Sequence, residues 1–180
     1  NGPPLVNPVG INEIMYHPLS SLDDDQYVEL YNRGNSAVNL TGWKFVAGIN
    51  FSFPSNTVIR PKSFLVVAAN AARLLANYPQ LNHTNLLGNF SGRLSGKGER
   101  LALALPDEIV STNASGFPVT NHVDIVVDEV TYGSGGRWGQ WADGGGSSLE
   151  LMDARADKRL AANWADSDET AKAPWTNLEL

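Results

Sequence analysis

Short segments of alternating apolar and polar residues recur along this chain at intervals of roughly 8 to 15 residues, and only one stretch has a helical period. Pro, Gly, Asn and Asp fill the gaps between them. Strands this short cannot hold together alone, and tight polar turns join antiparallel neighbours far more readily than parallel ones. The pattern predicts an all-β fold, an antiparallel sandwich or barrel with one short helix, rather than alternating β and α units.

The strands read as Ile11 to Tyr16, Gln26 to Asn32, a region from Val38 to Val46, a short piece at Val58 and Ile59, Phe64 to Ala69, Arg100 to Leu105, Val123 to Tyr132 and Ser148 to Met152. In the second, Val28 and Leu30 share one face and Tyr27, Glu29 and Tyr31 the other, so the apolar pair should face the core. Phe64 to Ala69 is apolar throughout and suits a strand buried on both faces. Asn70 is placed to cap a helix over 71–78 that Pro79 stops. Residues 1–10 read as a lead-in, 11–165 as one β-sandwich domain and 166–180 as a tail. No self-repeat of 20 to 50 residues is visible.

A chain of 180 residues with 42% hydrophobic content can fill a single core. It has no Cys, hence no disulfide, thiolate metal site or cysteine nucleophile. The longest wholly apolar run, Phe64 to Ala69, is far short of a membrane span, and no basic-then-apolar leader opens the sequence. A net charge of −6 with no Lys/Arg block repels a phosphate backbone, so nucleic acid is not an expected partner. The absence of Cys suits an extracytoplasmic bacterial protein and a cytosolic one alike.

Catalytic signatures are missing. No Gly-x-Ser-x-Gly elbow occurs, Lys97 is followed by Gly98 rather than Ser or Thr, and His17, His83 and His122 are isolated from one another. No cofactor is expected. If the first two strands pair with Ile14 and Val28 inward, Glu13 and Glu29 approach each other on the opposite face, as a two-carboxylate hydrolase would need. The plainer reading has each acid on a solvated sheet face with Arg33, Lys44 or a backbone amide for company. Asp23, Asp24 and Asp25 form a dense oxygen cluster, a weak candidate for structural calcium without the alternate spacing of a calcium loop.

Of the five tryptophans, Trp43 lies among core-type residues, whereas Trp138, Trp141, Trp164 and Trp175 lie in glycine-rich or polar segments. If exposed, the loop tryptophans could stack on sugars or anchor a partner; if folded back, they cover the end of the sandwich. Asn-x-Ser/Thr occurs at Asn39, Asn50, Asn82, Asn89 and Asn113. These are acceptor sites in a eukaryotic secreted protein and Asn-rich turns in a bacterial one.

The segments Ile11-Asn-Glu-Ile-Met-Tyr-His-Pro18, Asp25-Gln-Tyr-Val-Glu-Leu-Tyr-Asn32 and Val38-Asn-Leu-Thr-Gly-Trp43 resemble the opening of a lamin tail domain in its bacterial form. The likeness continues through Leu65-Val-Val-Ala-Ala-Asn70, Phe90-Ser-Gly-Arg-Leu-Ser-Gly-Lys-Gly-Glu99, Asp143-Gly-Gly-Gly-Ser-Ser-Leu-Glu150 and Asn163-Trp164. The resemblance implies an immunoglobulin-like β-sandwich without catalytic residues. It further implies an accessory interaction or adhesion module of a larger secreted or surface bacterial protein, whose partner would be a protein or a cell-surface polymer. A long connection from Pro106 to His122 departs from the compact hairpin expected there. That insertion, with Phe117, and the Gly133 to Gly146 loop, with Trp138 and Trp141, are the candidate binding regions. A carbohydrate-binding module using the loop tryptophans is the main rival reading.

Overall fold

The computed structural model describes residues 7–167. In chain order these form β1 (Val9–Met15), β2 (Tyr27–Asn32), β3 (Val38–Asn39), β4 (Lys44–Ala47), β5 (Ile49–Ser52), β6 (Val58–Ile59), β7 (Phe64–Ala68), α1 (Ala71–Asn77), β8 (Leu86–Gly88), β9 (Ser91–Gly92), β10 (Glu99–Thr112), β11 (Pro118–Tyr132), β12 (Leu149–Leu151) and β13 (Trp164–Asp166). One sheet has the order β13-β12-β1-β2-β7-β8, the other β11-β10-β4-β5-β9, and β3 and β6 make a small ribbon. The result is the expected immunoglobulin-like sandwich. Ile11, Ile14, Val28, Leu30, Leu65 and Val67 from the first sheet meet Phe45, Phe51, Leu101, Leu103 and Val130 from the second, and Trp43 is buried among them.

Ile11 and Ile14 are three residues apart, a spacing that a regular strand of period two cannot turn to one face. The register resolves the conflict: Ile11 pairs with Leu30 but Glu13 with Glu29, so Asn12 is an extra residue bulging from β1. Both isoleucines thereby reach the core, and Asn12 and Glu13 lie together on the outer side.

That outer side is not solvated. Helix α1 runs as expected, with the Asn70 side chain accepting a hydrogen bond from the Arg73 N–H at 3.2 Å. It links β7 to β8, the one parallel pair among the described strands, which a tight turn could not have joined. Helix and following loop cover the sheet's back, where Met15, Tyr27, Val66, Ala68, Leu74, Leu81 and Leu86 form a second apolar cluster. Hence β7 is apolar throughout: Leu65 and Val67 serve the main core, Val66 and Ala68 the second cluster.

Strands β5, β8 and β9 are additions to the sequence reading, and two further regions differ from it. The stretch from Pro106 to His122 is not a long connection: β10 and β11 pair continuously from Glu99↔Tyr132 to Thr112↔Pro118. Alternation in Pro106 to Asn121 is diluted by Ser, Thr and Asn, which conceals strand residues that have no core to face. Asn113 makes the tight turn, its side-chain oxygen accepting from the N–H groups of Ser115 and Phe117, both at 3.0 Å. Gly116 takes the left-handed conformation there, at φ +82°. The second difference is β13. The sequence reading has its last strand end at Met152, yet Trp164–Asp166 pairs with β12 and completes the first sheet's edge.

Candidate functional site

The two glutamates come together as the strand pairing requires, with Glu13 opposite Glu29 and Ile14 opposite Val28. The solvated face does not materialise: Glu29 is 1% exposed and Glu13 5%. Their partners are also other than Arg33 and Lys44. The Tyr27 hydroxyl donates to Glu13 at 2.6 Å and the Ser148 hydroxyl donates to the same oxygen, while Asn12 Nδ2 donates to Glu29 Oε1 at 3.1 Å. Glu29 Oε2 is buried with no hydrogen-bond partner. Burial first, then the charges of Glu13 and Glu150, push the Glu29 carboxyl well above the usual range. A hydrolase needs its acids open to substrate, and this pair is sealed, so it builds the fold rather than a reaction centre.

The acidic turn is similarly absorbed. Asp25 pairs with Arg73 of α1, whose hydrogen bond holds its carboxyl below the usual range, and Asp24 accepts from Asn70 Nδ2 at 3.3 Å. Among the described residues no group of three or more His, Asp or Glu side chains gathers as a metal site. The turn ties the β1–β2 connection to the helix.

The tryptophans divide by packing. Trp138 is half-buried with its ring centroid 6.3 Å from that of buried Trp164, and the pair closes one end of the sandwich. A Cβ on Gly133 would stand 2.9 Å from the Trp138 ring, so glycine is what lets that indole lie down. Trp141 remains 66% exposed. Its loop is nonetheless well tied: His17 Nδ1 lies 2.7 Å from Asp143 Oδ1, and the Gly145 N–H donates to the Trp141 carbonyl at 2.9 Å. Exposed Leu19 lies against Gly146 in the same loop. Trp175 falls outside the described residues.

Phe117, 67% exposed, sits at the tip of the β10–β11 hairpin, whereas the Trp141 loop leaves its base after Tyr132. Thirteen residue steps of ladder separate tip from base, about 40 Å. The candidate binding residues therefore form two sites, not one. Every residue from Pro106 to His122 is exposed, so the hairpin stands out from the body as an arm. Its register sorts the side chains. Leu105 and Ile125, Val123, Ile109, and Val119 share one face; Glu108 and His122, 3.3 Å apart, and Asp124 lie on the other. Sequence reasoning missed Ile109, Val119, Val123 and Ile125 as a stripe, because they become neighbours only through the cross-strand register.

A second feature the sequence did not disclose lies where the arm meets the body. The pairing skips Val127, between Leu103↔Asp128 and Ala104↔Val126, and turns Asp128 toward β1. There its Oδ2 accepts the Ile11 N–H at 2.6 Å and pairs with buried Lys158. Burial depresses the Lys158 ammonium despite that carboxylate.

The polar residues of the recurring motifs are also architectural. Gln26 bridges β2 to Tyr16 and Leu94 through three backbone hydrogen bonds, and Asn32 Nδ2 donates to the carbonyls of Ser36, Ile59 and Arg60. Buried amides of this kind hold loops in place because leaving them unpaired would cost about 1 to 3 kcal/mol each. Three of the five Asn-x-Ser/Thr tripeptides are turn devices too: Asn39, Asn82 and Asn113 each accept a hydrogen bond from the backbone N–H two residues on.

No curated protein matches the chain in a sequence search. The Lamin Tail Domain family profile matches residues 4–163 of the 180. With that match, the sandwich and motifs whose polar residues build loops, the chain belongs to the lamin tail domain family, a non-catalytic immunoglobulin-like domain.

Proposed function

We propose that this domain is a docking module whose contact element is the β10–β11 arm, and that it serves as an accessory domain of a larger secreted or surface protein of bacterial type. The observation that carries the reading is the arm itself. A two-stranded ribbon in water is marginal, and one with aliphatic side chains along a face and Phe117 at its tip gains stability by being covered. Net charge −6 disfavours nucleic acid as the cover and leaves a protein or another polymer.

The test is positional photocrosslinking in the full-length protein, with a benzophenone side chain substituted at Phe117 or at exposed Val58 on the body. A discrete crosslinked product is expected from position 117 and not from 58. Equal yields from both would remove the arm as the docking element. A second reading, carbohydrate stacking, is favoured by the exposed indole of Trp141 on its tethered loop. It predicts fluorescence quenching by a polysaccharide in the wild type that Trp141→Ala abolishes.

A further inference from the structure

We propose, building on the arm as the docking element, that the free edge of β11 accepts an extended basic–apolar segment of a partner protein as an added strand. Sheets normally guard their edges with lysines, prolines, bulges or a covering element. Here Lys and Arg are absent from Leu101 to Gly136, a span that includes both arm strands beyond Arg100. Strand β11 is the last in its sheet. Pro118 guards its start and the irregularity at Val127 its other end, where Asp128 turns to β1. From Val119 to Val126 the edge is continuous, lacks proline and has no strand beside it among the described residues. An extended segment laid there would complete the open row of backbone hydrogen bonds, as strand addition does elsewhere.

The two faces of the arm specify what that segment should look like. Alternate residues of an added strand fall on alternate faces. Those on the Val119–Val123–Ile125 face meet aliphatic side chains and should be apolar. Those on the opposite face meet His122 and Asp124 of β11 itself, with Glu108 one strand further in, beside His122, and Lys44 of β4 paired with Asp124. Asp107, opposite Val123 on β10, puts a further acid on the stripe's own face one strand in from the edge. The arm is acidic on balance, so basic residues at every second position match it. A second copy of this chain would bring the same acids to the same edge and meet like charge, which disfavours self-pairing.

The probe is a fluorescent peptide of about nine residues, the length of a typical strand, alternating Lys and Val, with a Glu and Val counterpart. Titrated into the 180-residue protein, the Lys peptide should bind saturably, more weakly as salt is added, and should slow amide exchange across Val119 to Val126. Binding should be lost when the arm is shortened by joining Pro106 to Asp124 through Asn-Gly. It should also be lost in the full-length arm carrying Val119→Lys and Ile125→Lys, which restores the missing edge lysines. Equal binding of the Glu peptide overturns the basic assignment. A concentration-dependent dimer in sedimentation that shortening abolishes makes the occupant a second copy and overturns it likewise. Binding of the Lys peptide that survives shortening, or no binding by either peptide, overturns the strand-addition proposal. The photocrosslink from position 117 decides separately whether the arm docks at all.

Discussion

Glu29 shows how a single side chain couples this fold to pH. Its carboxyl is raised by burial and by the charge of Glu13, so its folded pKa lies above the unfolded value near 4.5. Above pH 4.5 the folded state holds a proton that the unfolded state releases, and stability falls as pH rises toward the folded pKa. Below 4.5 both states are protonated and the contribution is fully present. Glu29→Gln keeps the acceptor for Asn12 and puts a donor where Oε2 now lacks a partner. The urea midpoint of the variant should exceed that of the wild type at pH 7, and the gap should close as pH falls below 4.5. A gap independent of pH would contradict the raised carboxyl. The Lys158–Asp128 pair offers a complementary test. Asp128→Ala strands a buried ammonium and the Ile11 N–H, and should cost about 3 to 5 kcal/mol, whereas Asp128→Leu with Lys158→Met should cost far less. Denaturant titration of the three proteins measures both.

Among the elements, β1 depends most on an irregularity. Inserting one residue between Glu29 and Leu30 gives Asn12 a partner and removes the bulge, and the strict period of two over the three positions from Ile11 to Ile14 then drives one of those isoleucines out of the core. The expected loss is comparable to truncating a buried isoleucine, about 2 to 5 kcal/mol, against about 1 kcal/mol for removing the α1 cap with Asn70→Ala. Equal losses in the two variants, read from denaturation midpoints, would show that the bulge does not set the register. The elements also differ in how far their residues disclose them. Strand β2 is readable because Val28 and Leu30 alternate with polar or amphipathic neighbours, and α1 because its cap, its run of Ala and Leu and the following Pro are contiguous. The distal part of the hairpin is not, because its composition is that of a turn-rich loop and its regularity comes from each strand templating the other.

Across the whole molecule, the sandwich holds its sheets together without a disulfide, by side-chain packing and polar ties such as that of Asp128 to the Ile11 N–H. The body and the arm should consequently behave as separate stability units. Amides of Val28 to Leu30 should exchange only through global unfolding, and those of Ile109 to Asn121 through local opening many orders of magnitude faster. Hydrogen exchange resolved by residue checks this. Uniform protection along the arm in the isolated domain would mean that it is already covered. Shortening the arm should leave the denaturation midpoint within about 0.5 kcal/mol of wild type, since surface residues distant from any core feature contribute little.

Local chemistry determined much of this protein from its residues alone. The layered β class, the inward face of β2, the capped helix and the adjacency of Glu13 and Glu29 all follow from period-two alternation, turn residues and capping, which act within a few positions of the chain. Tertiary structure alone decided which outer face is covered, and so turned two surface-type acids into a buried pair. It decided that Trp138 lies against Trp164 while Trp141 stays in solvent, and that Phe117 sits at the tip of a ladder about 40 Å long whose base gives rise to the Trp141 loop. These outcomes depend on pairings between residues tens of positions apart, whose free energy comes from the water excluded between elements, and no local pattern records which elements will exclude it.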